Sequence, residues 1–100
     1  MSAVFDRDSF AGVLGSPFTL TATGGQSVDV ELTEVSELKE TPNQRSFTLL
    51  FMVPEPYRVE QGLYDLDHKT LGSMQLFLVP VGLDNGRLKL EAVFNLLKDD

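Results

Sequence analysis

The single histidine, His68, lies in the string Asp65-Leu66-Asp67-His68-Lys69-Thr70-Leu71-Gly72-Ser73. A hydroxyl, an imidazole and a carboxylate are the parts of a nucleophile–base–acid set. Ser73, His68 and either Asp65 or Asp67 supply those types. Strand geometry separates them, because adjacent strand residues point to opposite faces and Asp67 cannot easily share a side with His68. No nucleophile-elbow sequence is present either. The expected role of His68 is therefore structural, in a hairpin turn where its ring bonds backbone groups, and the chain is not expected to be an enzyme.

Asp29, Glu31, Glu34, Glu37 and Glu40 form an acidic stretch. A hard cation such as Ca²⁺ takes several oxygen ligands at once. Alternating carboxylates on a strand stand ~7 Å apart, too far for several to reach one ion. They read as a solvated outer face with Lys39 and Lys89 as partners, and no metal or other cofactor is expected. Gly24-Gly25 has no following Lys and opens no helix, so it is a turn and not a phosphate loop. Tyr57 and Arg58 follow Pro54-Glu55-Pro56. Aromatic residues and Arg are enriched at protein-binding hot spots, which makes the pair a candidate recognition tip. The alternative is that Tyr57 folds back on the body of the protein.

These residues need elements to hold them. One hundred residues make a single domain, 1–100. Hydrophobic residues are 42% of the chain, ordinary for a globular protein. A net charge of −7 repels nucleic-acid phosphates and anionic lipid, so no nucleic-acid partner is expected. With no cysteine there is no disulfide, thiolate chemistry or Cys-based zinc site. Residues Met1 to Asp8 carry acidic side chains and no apolar h-region, and no apolar run reaches membrane-spanning length. A cytoplasmic location without membrane insertion is the expectation.

The strongest local signal is Asn85-Gly86 between two β-type runs, Gly72–Val81 and Arg87–Leu96. A type I′ turn needs positive φ at both central residues, which Asn and Gly tolerate best. Earlier strands are Pro17–Thr23, Ser27–Lys39, Ser46–Val53 and Gly62–Asp67. In the second of these, Val28, Val30 and Leu32 share one parity and Val35 the other. One core can be kept only with a bulge or sharp bend near Thr33–Glu34. Glu40 to Gln44 reads as a loop. Before the strands, Asp6–Leu14 predicts a short helix, capped by Asp6 or Asp8 and stopped by Gly15. Its Phe10, Val13 and Leu14 share a face that must dock on something apolar.

About six strands at short spacing predict a mainly β fold: an antiparallel meander forming a small closed or partly open β-barrel, with one short N-terminal helix. The helix caps an open end or lies over an outer apolar patch. That patch is the second expectation. Leu50, Met52, Phe77, Val79, Val81 and Val93 take the outward parity, more apolar surface than a monomer usually exposes. With Tyr57 and Arg58, the residues Leu50, Met52, Phe77, Val79 and Val93 form the expected interaction surface. The partner is a protein or a second copy, a two-fold dimer being the commonest solution. A small-molecule-binding barrel lined by Phe18, Phe47, Phe51 and Phe94 is the alternative, although about six strands leave little interior space.

Four segments carry a resemblance over most of the chain. They are Phe10-x-x-x-Leu14-Gly15-x-x-Phe18, Gln61-Gly62-x-Tyr64-x-Leu66-x-His68-x-x-Leu71-Gly72, Leu76-Phe77-Leu78-Val79-Pro80-Val81-Gly82 and Glu91-Ala92-Val93-Phe94-Asn95. The chain resembles a family of small bacterial β-domains of unknown function, with Leu90 where members often carry an aromatic. The resemblance implies no chemistry. It implies a structural or accessory role near tail-collar-like fibre proteins of phage-tail-like or surface assemblies.

Overall fold

The structure is a computed structural model that describes residues 7–22, 25–54 and 59–97. Seven strands follow one helix: α1 (Arg7–Ala11), β1 (Pro17–Thr21), β2 (Ser27–Val35), β3 (Lys39–Glu40), β4 (Gln44–Val53), β5 (Gly62–His68), β6 (Gly72–Asp84) and β7 (Arg87–Leu97). Six of them close a ring in the order β1-β2-β4-β7-β6-β5, every pairing antiparallel. Closure gives each of the six ring strands a partner on both sides. β3 lies outside the ring and pairs only with β4, so part of the segment read as a loop is a short strand.

Period-2 patterning builds the wall. In β1 Phe18 and Leu20 are buried, and in β2 Val30 and Leu32 are buried while Asp29 and Glu31 are exposed. The register of β2 on β4 slips between Leu32 and Glu34, which makes Thr33 the extra residue of a bulge. The hydroxyl of Thr33 donates to the Leu50 carbonyl across that slip. The bulge lets Val35 face Leu49 after Leu32 has faced Phe51. β4 lies between β2 and β7 and pairs with β7 from Gln44↔Leu97 to Val53↔Leu88. Asn85 and Gly86 have φ of 52° and 81°, as the turn joining β6 to β7 requires.

One connection departs from an uninterrupted meander. β4 is followed by β5, yet β5 pairs with β1 on the opposite side of the ring. Pro54 has no N–H to continue the ladder, and the chain re-enters the wall at Gly62. The partner of β4 on that side is β7, which arrives last in the chain.

The helix caps an open end. Phe10 is fully buried among Phe18, Phe47 and Phe94, with ring centroids 6.4, 6.1 and 5.3 Å away. Phe47 and Phe94 stack at 4.9 Å, and Phe18 meets Phe51 edge-on at 5.3 Å. The Arg7 guanidinium donates to the Ser36 carbonyl at 2.6 Å, tying α1 to the end of β2. The helix is shorter than its apolar spacing predicts. The chain leaves α-helical geometry after Ala11, so Val13 packs partly buried on the core while Leu14 turns out to solvent. Asp6, one of the two expected caps, lies outside the described residues.

Candidate functional site

Two places combine unusual chemistry with unusual exposure. One surrounds His68, and the other is the outer face of β5, β6 and β7.

His68 ends β5 and is 5% exposed. Its ring lies 4.6 Å from the Phe18 ring, at the helix end of the barrel. Nδ1 accepts from the backbone N–H of Thr70 at 3.1 Å and of Leu71 at 3.2 Å. The Thr70 hydroxyl is 3.0 Å from the same nitrogen. A nitrogen facing two amide N–H groups must offer its lone pair, so the proton of the neutral ring sits on Nε2. Nε2 lies 2.9 Å from Ser16 Oγ and donates to it. The Ser16 hydroxyl in turn donates to the Val13 carbonyl. Burial lowers the His68 pKa below its usual 6.5, and the neighbouring Lys69 adds to the effect.

This geometry places a serine on a histidine, but not the serine that the sequence brings to mind. The direction is also wrong for a general base, which must accept the serine proton rather than donate to it. Asp65, Asp67 and Ser73 are on the outer face, where the Ser73 hydroxyl bonds Asp67 and Asp65 faces Gln75. They line an open groove of about 460 Å³ on the other side of the wall from the imidazole. Ser16 and His68 are 52 residues apart, and no local pattern reports such a pair. The signal available in the sequence was Thr70-Leu71-Gly72 after the histidine, a turn whose N–H groups need an acceptor.

The acidic stretch is dispersed. Asp29 takes a hydrogen bond from Thr19 across the β1–β2 ladder, and Glu40 pairs with Arg45 at 3.1 Å. Arg45, not Lys39, is thus the cation beside Glu40, and among the described residues neither Lys39 nor Lys89 makes an ion pair. Among the described residues no three His, Cys, Asp or Glu side chains gather to hold a metal.

The expected outer apolar set divides by exposure. Phe77 and Val93 are 51% and 57% exposed. Leu50 and Val79 are half-buried. Met52 points outward but is only 7% exposed, a correction to its place on an accessible surface. Glu31 and Lys89 flank it on the neighbouring strands. Pro17, Pro54 and Arg87 share with it a groove of about 300 Å³. Val81 is the extra residue where the β6–β7 register slips between Pro80 and Gly82. Leu63, opposite Phe77 on β5, is 59% exposed and belongs to the face, although the expected set omits it. Val79 faces Glu91 at the end of the β6–β7 ladder, two residues from Phe77 on β6 and two from Val93 on β7. Tyr57 and Arg58 lie outside the described residues.

The helix does not cover this face, since α1 is spent on the barrel end. A family model described as a domain of unknown function, DUF6916, matches residues 5–94. The chain belongs to the DUF6916 family. The match takes in β1 to β6, β7 as far as Phe94, and both places described above. No curated protein and no solved structure matches the chain. Among the described residues of this DUF6916 domain, no helix is long and apolar enough to cross a membrane.

Proposed function

We propose that this DUF6916 domain is a non-enzymatic interaction module that binds a protein partner or a second copy through the outer face of β5–β6–β7. The observation that carries the reading is the pair Leu63 and Phe77, opposite each other on β5 and β6 and each more than half exposed, with Val93 on β7 exposed to the same degree two residues past the Val79–Glu91 pairing. Half-buried Leu50 and Val79 extend the face. Fully burying such a side chain contributes about 1.5–3 kcal/mol relative to exposure, so covering these three from half exposure is worth on the order of 3 kcal/mol. That is about a hundredfold in affinity. A two-fold dimer is the favoured arrangement, because one self-complementary patch suffices for it. Following the family resemblance alone, the setting we favour is an accessory of a larger phage-tail-like or surface assembly.

The core speaks against the alternative of a ligand-holding barrel. Phe18, Phe47, Phe51 and Phe94, the expected chamber lining, make ring contacts with one another or with Phe10. A non-enzymatic role is supported by the Nε2–H tautomer of His68, which leaves no base directed at Ser16.

Sedimentation velocity across rising concentration tests the favoured arrangement. Wild type should shift from monomer to dimer, and Phe77→Asp should stay monomeric with an unchanged circular dichroism spectrum. A wild-type monomer at every concentration removes the dimer. An equal shift in Phe77→Asp removes this face as its interface.

A further inference from the structure

We infer that His68 is a pH-sensitive latch that couples the β5–β6 turn to the seat of α1, so that mild acid loosens the N-terminal segment while the barrel wall stays closed. The inference stands on a continuous chain of hydrogen bonds. Two backbone N–H groups of the turn, from Thr70 and Leu71, aim at Nδ1. Nε2–H reaches Ser16 Oγ, and the Ser16 hydroxyl reaches the Val13 carbonyl just after α1. The main chain of the same segment is pinned to β2, with Gly15 N–H on the Leu32 carbonyl at 2.8 Å and Leu32 N–H on the Ser16 carbonyl at 3.2 Å.

A second proton can enter the ring only at Nδ1. There it meets two amide donors that cannot turn away, whereas the Thr70 hydroxyl can rotate and become an acceptor. The ring must therefore swing out of the turn, and swinging out withdraws Nε2–H from Ser16. What is lost first is the tie between the wall and residues 13–16. The wall strands keep their ladders, since none of these bonds belongs to one.

Among the described residues no opposite charge faces the protonated ring. The α1–β1 connection presents Val13 and Ser16, and β1 presents Phe18. From the turn come Thr70 and Leu71, with Lys69 as the charged neighbour and of like sign. On β5 itself Asp67 points to the other face and holds Ser73. The burial that lowers the His68 pKa acts in the same sense.

Amide hydrogen exchange at pH 7.5 and 5.5, corrected for intrinsic rates, reads the latch. If the opened segment frees His68 to titrate near its usual 6.5, one pH unit below that value favours opening by up to about tenfold. The amides of Val13, Gly15 and Ser16 should lose several-fold to about tenfold in protection. Those of Phe51 and Leu90 should stay better protected than these three at both pH values, although acid lowers global stability too. Two variants keep the test open if one misfolds. His68→Asn retains an acceptor for the turn N–H groups but cannot titrate. Ser16→Ala leaves the ring and turn in place but cuts the link. Both should abolish the acid response at Val13 to Ser16. Equal protection of wall and N-terminal amides at pH 5.5 would overturn the latch, because the segment would then open only with the whole domain. So would a full-size response at residues 13–16 surviving in either variant.

Discussion

Replacing Phe10 by alanine removes the ring that closes one end of the barrel. Phe10 is fully buried and is in ring contact with Phe18, Phe47 and Phe94. Its loss removes the transfer free energy of a phenyl group and takes one ring neighbour from each of Phe18, Phe47 and Phe94. Phe→Ala changes in cores cost about 3–5 kcal/mol, and α1 is too short to compensate by helix propensity. A domain of this size has on the order of 5–15 kcal/mol of stability in all. With a urea slope of about 1–3 kcal/mol per molar, the midpoint should fall by roughly 2 M. Urea unfolding followed by far-ultraviolet circular dichroism measures this directly. A Phe10→Leu control, which refills most of the volume, should recover the larger part of the loss. A Phe10→Ala midpoint within a few tenths molar of wild type would refute the account of the helix as a plug, and with it the filled barrel.

Further outcomes follow from the same structure. Gly86→Ala places a Cβ at φ of 81° in the β6–β7 turn and should cost about 1 kcal/mol or more in urea unfolding, whereas Lys69→Ala on the exposed β5–β6 turn should be nearly neutral. Phe77→Asp is a surface change at a half-exposed site and should leave the monomer within about 1 kcal/mol of wild type. Global stability should fall with acid through His68. Its folded pKa is lowered and its unfolded value is 6.5, so its contribution is complete above 6.5 and declines as pH drops towards the folded value. Urea midpoints at pH 7.5 and 5.5 should show this, and His68→Asn should remove the part of the decline that His68 contributes.

Much of the wall was legible because its information is local. The parity change between Leu32 and Val35 forces a bulge whatever the neighbouring strand, and the slip is found at Leu32/Glu34. Asn85-Gly86 likewise determines its own turn. What the sequence did not disclose depends on distant partners. β4 pairs with β7 rather than β5 because strand partners are chosen by three-dimensional closure, not by order along the chain. Where the helix ends, Phe10 fills the barrel mouth and Val13 packs partly buried on the core, while Leu14 stays exposed. Met52 is covered by the residues around it on adjoining strands, which no pattern within β4 announces. The tie between Ser16 and His68 joins residues 52 positions apart. At the outer face the parity of Phe77, Val79 and Val93 was sufficient to place them, and the degree of exposure had to come from the fold.

The central functional claim is that the Leu63–Phe77–Val93 face meets another protein. A photo-crosslinking amino acid placed at position 77, and separately at Thr19 on the polar side of the barrel, tests it in the cells that make the protein. The account predicts a discrete crosslinked protein species, a second copy or another chain, from position 77 and none from position 19. Crosslinking of equal strength from both positions, or none from position 77, would contradict it.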